Sequence, residues 1–147
     1  MTRLLVYESK PVNAAMLARL ARVELVEVRS VLQLEQAISE ASDGFAMAVE
    51  VTQQALIPVA RLVRRAKTSQ ATAVIAMPDK SLQCGTRILY EAGADLLFRS
   101  MLDRDMARSL LNNVLRAHAN RRQASASVPF RAQVWESLPW KRHATGG

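Results

Sequence analysis

The sequence predicts an α/β domain in which a parallel sheet carries helices on both faces. Short apolar runs of strand length alternate with amphipathic stretches of helical period from the first residues to about residue 120. Half of the 147 residues are hydrophobic, which is enough for one buried core. No run approaches the roughly 20 apolar residues needed to cross a bilayer, and the first apolar run is too short for a signal peptide, so we expect a cytoplasmic protein.

The predicted strands differ in charge, and the difference indicates their places in the sheet. Residues 24–28 alternate charged and apolar side chains, as a half-exposed edge strand does, whereas residues 45–49 are uncharged, as a strand covered on both faces is. With right-handed crossovers, five βα units form a flavodoxin-like, doubly wound sheet of order 2-1-3-4-5. The five predicted strands are residues 4–7, 24–28, 45–49, 72–77 and 96–98.

The helices between these strands are predicted from their end signals as well as from their period. Pro11 suits the first turn of helix one, and Ser30 with Gln33 makes a capping box for helix two. Gly93 can take the left-handed conformation that ends helix four, and Asp103 is expected to cap helix five. The predicted spans of helices three, four and five are 54–67, 81–92 and 103–120.

Two local motifs carry a resemblance to a known family. Residues 5–11, Leu-Val-Tyr-Glu-Ser-Lys-Pro, resemble a first strand followed by an acidic pair, one residue and Pro, and residues 92–95, Ala-Gly-Ala-Asp, resemble the junction before a fifth strand. With this spacing, residues 3 to about 119 resemble the CheY-like receiver domains of response regulators. The resemblance implies an acidic pair and a phosphoacceptor Asp that hold Mg²⁺, a Ser or Thr ending strand four, and a Lys after strand five.

All five of these positions depart from the family pattern. Ser9 replaces a carboxylate with a neutral hydroxyl, and Pro78 offers neither a hydroxyl nor an N–H. We therefore expect no metal, no cofactor, no phosphotransfer and no enzymatic activity. Carried over without gaps, the acidic pair falls on Glu8 and Ser9, the phosphoacceptor on Glu50, the hydroxyl on Pro78, and the Lys on Ser100 with Arg99 one place earlier.

Glu50 admits two interpretations. Its longer carboxylate could place negative charge where a phosphoryl group would sit, so that the protein is permanently in the active state. Alternatively, Glu50 is only the hydrophilic end of a buried strand and pairs with Arg99. The family's aromatic switch position falls on Leu97, which has no polar atom to sense the charge.

The tail beyond residue 120 is predicted to be separate from the receiver-like domain of residues 1–120. Five basic residues against one acidic residue lie in 121–147, and Ala-Ser-Ala-Ser after Gln123 has the composition of a linker. Trp135, Leu138 and Trp140 are the candidate partner-binding residues of this tail. The segment either folds back onto its own domain, docks to a partner, or contacts a membrane or nucleic acid.

Two further features are predicted to be structural. Cys84 is the single cysteine of the chain and is expected to be a small buried or half-buried residue, and the two histidines, His118 and His143, form no metal-binding pattern. A basic cluster on helix three is interpreted as a solvated helix face, because no recognition helix or stacking aromatic accompanies it. Its members are Arg61, Arg64, Arg65 and Lys67.

The sequence therefore predicts a non-phosphorylatable pseudo-receiver that acts as an adaptor in two-component-type signalling. It would bind another signalling protein, or itself, through helix four, strand five and helix five. The alternatives are an atypical phosphorylated response regulator, and a nucleic-acid- or membrane-binding protein that uses the basic tail. The apolar candidates on the helix-four and helix-five face are Leu82, Ile88, Leu89, Met106 and Leu110.

Overall fold

The computed structural model describes residues 3–20, 23–41 and 44–126, without the side chains of Met101 and 118–126. Strands and helices alternate through this part of the chain, and a short 3₁₀ turn, Met101–Asp103, precedes the last helix. The strands are β1 Arg3–Tyr7, β2 Glu24–Val28, β3 Phe45–Val51, β4 Ala71–Pro78 and β5 Leu96–Leu97. The helices are α1 Ala14–Leu20, α2 Val31–Glu40, α3 Leu56–Ser69, α4 Thr86–Ala92 and α5 Arg104–Ala126.

The sheet confirms the predicted topology. Its order is β2-β1-β3-β4-β5, and every neighbouring pair of strands is parallel. The strand that contains the uncharged run 45–49, β3, lies at the centre, and the partly charged β2 lies at one edge. Because all strands run the same way, the residues that follow β1, β3, β4 and β5 meet at one edge of the sheet.

The core consists of two apolar layers, one on each face of the sheet. Alternate residues of β1 enter opposite layers: Leu5 packs with α2, α3 and α4, and Leu4 packs with α1 and α5. On the helices, Val63 of α3 lies in the layer of Leu5, Leu111 of α5 lies in the layer of Leu4, and both are buried. The sheet is therefore covered on both faces, as the doubly wound class requires.

Two predicted helix ends are confirmed in atomic detail. The Ser30 hydroxyl accepts a hydrogen bond from the backbone N–H of Gln33 at 3.1 Å, and the Gln33 side chain accepts one from the N–H of Arg29 at 2.8 Å. Gly93 ends α4 with φ at 123°. A Cβ at Gly93 would lie 2.7 Å from Cγ of Lys67, so both conformation and space favour glycine here.

Three other predicted boundaries are wrong. Pro11 lies before α1, which begins at Ala14. The predicted start of helix four, Ser81, lies in a turn, because the Asp79 carboxylate accepts its backbone N–H at 2.8 Å, and α4 begins only at Thr86. Helix α5 continues to Ala126 through residues interpreted as a linker. Alanine is the best helix former, and extending an existing helix costs little, so this extension is physically reasonable.

Cys84 is exposed, contrary to the prediction that it is buried or half-buried. A helix that began at Ser81 would have included Cys84, whereas α4 begins at Thr86 and the segment before it carries Cys84 on the surface. None of the helices in the described part of the chain is long and apolar enough to cross a membrane.

Candidate functional site

A cavity of about 350 Å³ lies at the carboxyl edge of the sheet, where the sequence places the degenerate phosphoacceptor pocket. It brings together all six predicted residues from β1, β3, β4 and β5. Those residues are Glu8, Ser9, Glu50, Pro78, Arg99 and Ser100. The sequence did not single out the other lining residues, which are Lys10, Val12, Asn13, Met77, Asp79 and Phe98.

Glu8 follows β1 directly and is buried, with 2% of its surface exposed. Its carboxylate accepts backbone N–H hydrogen bonds from Val12 at 3.3 Å, Asn13 at 2.8 Å and Ala14 at 3.1 Å. These amides stand at the start of α1, where the first N–H groups of a helix have no partner within the helix. Glu8 therefore caps α1 and holds the loop between β1 and α1 against the sheet.

Glu50, in β3, binds the same loop from the other side. Its Oε2 accepts the backbone N–H of Ser9 at 2.7 Å, and its Oε1 accepts the Ser9 hydroxyl at 3.3 Å. The ion pair with Arg99 that one interpretation expected is not formed, although both side chains line the cavity. The Glu50 carboxylate is therefore held by hydrogen bonds from Ser9 rather than by an ion pair with Arg99.

Tyr7, the last residue of β1, shows the electrostatic effect of this arrangement. Burial raises the pKa of the Tyr7 phenol above its usual value, and the negative charge of Glu50 raises this pKa further. Both effects disfavour the phenolate. Tyr7 therefore keeps its proton to a higher pH than a solvent-exposed tyrosine does.

The end of β4 contributes a carboxylate that the sequence analysis missed. Pro78 is the last residue of β4 and pairs with Val51 of β3. Asp79 follows it, donates its N–H to the Val51 carbonyl at 2.9 Å, and uses its carboxylate to bind the N–H and hydroxyl of Ser81. The position of Asp79, directly after a parallel strand, is the signal that could have identified it.

The loop after β5 turns its backbone toward Asp103 instead of presenting a cation to Glu50. The Asp103 carboxylate accepts the N–H of Arg99 at 2.8 Å and that of Ser100 at 3.3 Å. It therefore binds the preceding loop, whereas the sequence predicted that it caps the helix that follows. Leu97, at the family's switch position, is buried.

The residues of this cavity do not fit the Mg²⁺ ion that the receiver resemblance implies. Mg²⁺ requires six oxygen ligands in near-octahedral geometry. Each oxygen of Glu8 and of Glu50 already accepts at least one hydrogen bond from the loop after β1 or the start of α1, and Ser9 itself is neutral. Among the described residues, no three His, Cys, Asp or Glu side chains are grouped so that they could hold a metal ion.

The remaining predicted partner-binding residues divide into exposed, buried and undescribed ones. On the surface of α4 and α5, Ile88 and Met106 are exposed by 39% and 60%. Leu89 is fully buried, and Leu82 and Leu110 are partly buried against the core. The predicted tail residues Trp135, Leu138 and Trp140 lie outside the described residues.

Comparisons with known structures show similarity of fold to receiver domains. No family model matches the sequence, and no curated protein matches it. Among solved structures, the CheY-like protein tadZ from Pseudomonas aeruginosa PAO1 is similar at 16% identity and a TM-score of 0.54, over 75% of this chain and 93% of that one. The receiver domain of sensor histidine kinase PA1611 from the same organism gives 17% identity and a TM-score of 0.54, over 76% and 95%.

A third similar structure is described as an atypical orphan response regulator with a phosphorylation-independent regulatory mechanism. It is 18% identical, with a TM-score of 0.54 over 76% of this chain and 96% of that one. The PA1611 structure is described with a magnesium ion coordinated in its active-site cleft, whereas the corresponding cleft here has its carboxylates bound to backbone N–H groups. The five-stranded order and these matches together establish that the chain has the fold of CheY-like receiver domains.

Proposed function

We propose that this protein is a pseudo-receiver, which acts in two-component-type signalling by binding other proteins and not by phosphoryl transfer. The observation that carries the proposal is the engagement of both strand-end carboxylates. Glu8 caps α1, and Glu50 binds Ser9, so neither is directed to a metal ion. In this proposal the protein is cytoplasmic and has no enzymatic activity.

The absence of the other catalytic groups supports the same proposal. Phosphoryl transfer depends on positioning the phosphoryl group and neutralising the charge on its oxygens. Pro78 offers no hydroxyl at the end of β4, and Ser100 stands where the family has a Lys. Arg99 and Lys10 line the cavity, but two flexible cations without a metal do not position an incoming phosphoryl donor.

The test is incubation with acetyl phosphate and Mg²⁺, followed by intact-protein mass spectrometry and by amide spectra in the presence of beryllofluoride. We expect no phosphorylated species and no shift of the amides near Glu50. A variant with Ser9→Asp, Glu50→Asp, Pro78→Thr and Ser100→Lys restores the family pattern and serves as the positive comparison. A stable acyl phosphate on Glu50 of the unmodified protein would overturn the proposal.

The partner-binding role is proposed for the face formed by α4, β5 and α5. The exposed large side chains in these helices, Tyr90 at 52% and Met106 at 60%, support it, because burying their apolar surface in an interface is favourable. The partner is another signalling protein or a second copy of this chain. Sedimentation of the protein alone, compared with Tyr90→Ser and Met106→Ser, tests the second possibility.

A further inference from the structure

A groove of about 190 Å³ runs between α3 and α4, away from the cavity at the strand ends. The α3 residues in it recur at i, i+3, i+4 and i+7, and the α4 residues recur at i, i+3 and i+4, so each helix contributes one face. Its lining residues are Ile57, Ala60, Arg61, Arg64, Ile88, Glu91 and Ala92.

The floor of the groove is apolar. Its two alanines are buried, and its two isoleucines are only partly covered. Ala60 and Ala92 are each 7% exposed, whereas Ile57 and Ile88 are 49% and 39% exposed. A β-branched side chain does not favour an exposed helical position by its intrinsic propensity. The two isoleucines therefore provide apolar area that a bound side chain could bury.

The basic cluster on α3 consists of two residues that form ion pairs with other elements and two arginines that line the groove. The two arginines make the groove positively charged. Arg65 pairs with Glu35 at 3.3 Å, and Lys67 pairs with Asp95 at 2.9 Å. In the described part of the chain, Arg61 and Arg64 form no ion pair.

The acidic residue of the groove does not neutralise these two arginines. Glu91 binds Arg87 at 2.8 Å within α4. The groove therefore presents two free guanidinium groups above an apolar surface.

We infer that this groove binds an acidic amphipathic segment of a partner protein, with apolar side chains between the two isoleucines and Asp or Glu side chains on Arg61 and Arg64. The recognition mode is that of a helix in a groove. The inference rests on the proposed adaptor role, to which it adds a surface and a partner chemistry. It uses the side of α4 that faces α3, where Ile88 lies, and needs no residue of β5 or α5.

Charge and shape disfavour the other occupants. A symmetric contact between two copies at this groove would gather the unpaired arginines of both copies in one interface, which raises its positive charge. The chain's own tail is basic, with five Lys and Arg residues against one Glu in residues 121–147. Among the residues that the structure describes, no aromatic side chain lines the groove, so this part of the chain offers no stacking surface for single-stranded nucleic acid there.

The test uses fluorescence anisotropy with a labelled synthetic helical peptide that carries Leu at i, i+3, i+4 and i+7 and Glu at the flanking positions. We expect binding that weakens with added salt, and about a tenfold loss of affinity in Arg61→Gln/Arg64→Gln, as two lost rim ion pairs imply. The control, Lys80→Gln/Arg116→Gln, removes the same charge from exposed sites outside the groove and should keep the affinity. Amide shifts on peptide addition should be concentrated in α3 and α4.

Several results would overturn the inference. Equal affinity of the two double variants, or equal binding of a peptide with Lys in place of Glu, would remove the charge recognition. Tighter binding of a single-stranded oligonucleotide with the same arginine dependence would assign the groove to nucleic acid. Dimerisation lost in Ile88→Ser would assign it to a second copy. Each result is obtained on unphosphorylated protein, so it is independent of the acetyl phosphate test.

Discussion

Replacing Glu8 by Gln distinguishes a structural carboxylate from a metal-binding one. In a metal pocket, neutralising one carboxylate relieves its repulsion with the others and stabilises the metal-free protein. In this structure the Glu8 carboxylate accepts hydrogen bonds from three backbone N–H groups at the start of α1, so the same change should destabilise the fold. The sign of the change in unfolding free energy therefore decides between the two roles.

The magnitude follows from the geometry around Glu8. A Gln amide can keep one oxygen as acceptor, but its NH₂ would face an N–H donor, either that of Asn13 or those of Val12 and Ala14. An unsatisfied buried donor costs about 1–3 kcal/mol, and the loss of a charge near a helix start costs about 0.3–1 kcal/mol more. Relief of the cost of burying a charge offsets part of this, which leaves a loss of about 2 kcal/mol.

Urea unfolding followed by circular dichroism measures this loss of unfolding free energy. In thermal unfolding, the same loss should lower Tm by about 8 °C for a domain of this size. Glu40→Gln, the same substitution on the exposed end of α2, should change stability by less than about 0.5 kcal/mol. Added Mg²⁺ should leave the unfolding midpoint of the unmodified protein unchanged, since a ligand shifts it only by binding one of the two states more tightly than the other. Equal or greater stability of Glu8→Gln, or a Mg²⁺-dependent midpoint that this variant loses, would refute the capping role.

Three more predictions follow from the same geometry. The raised pKa of Tyr7 means that the folded state holds this proton more tightly than the unfolded state, so stability should be level below the ordinary value of 10.0 and fall at higher pH. Phenolate absorbance in a background without the other tyrosine should show a lower Tyr7 pKa in Glu50→Gln, and no change would remove the proposed charge effect. Glu50→Gln should also speed amide exchange at Ser9 about tenfold by weakening the bond at 2.7 Å, whereas unchanged exchange would show that the loop is held elsewhere. Gly93→Ala should cost about 1–2 kcal/mol in urea unfolding because φ is 123°, and a neutral result would mean that the turn adapts.

The fold was predictable because the spacing of hydrophobic residues along the chain indicates which side chains are buried. The uncharged run in β3 and the alternating charges of β2 correctly indicated a central and an edge strand. The site was predictable as a set of residues for a related reason. In a parallel sheet the strand ends converge, so Glu8, Glu50 and Pro78 had to line one cavity once the strands were assigned.

The hydrogen-bond partners in that cavity were not predictable, because they depend on the path of the loops. The sequence leaves open whether Glu50 faces Arg99 or Ser9, and only the loop after β1 places Ser9 2.7 Å away. The start of α4 likewise depends on a side-chain contact within a turn, which overrode the helical period.

The sequence by itself determined the class of fold, the strand order, and which residue types are available at the strand ends. Those properties follow from the spacing of hydrophobic residues and from the composition of short segments, both of which are present in the sequence before any tertiary contact forms. Only the tertiary structure decided that the carboxylates bind the loop before α1, and that two arginines of α3 border an apolar groove while two others are paired. Most of these contacts join residues far apart in the chain, as Ser9 and Glu50 are, and their distances are set by the packing of whole elements.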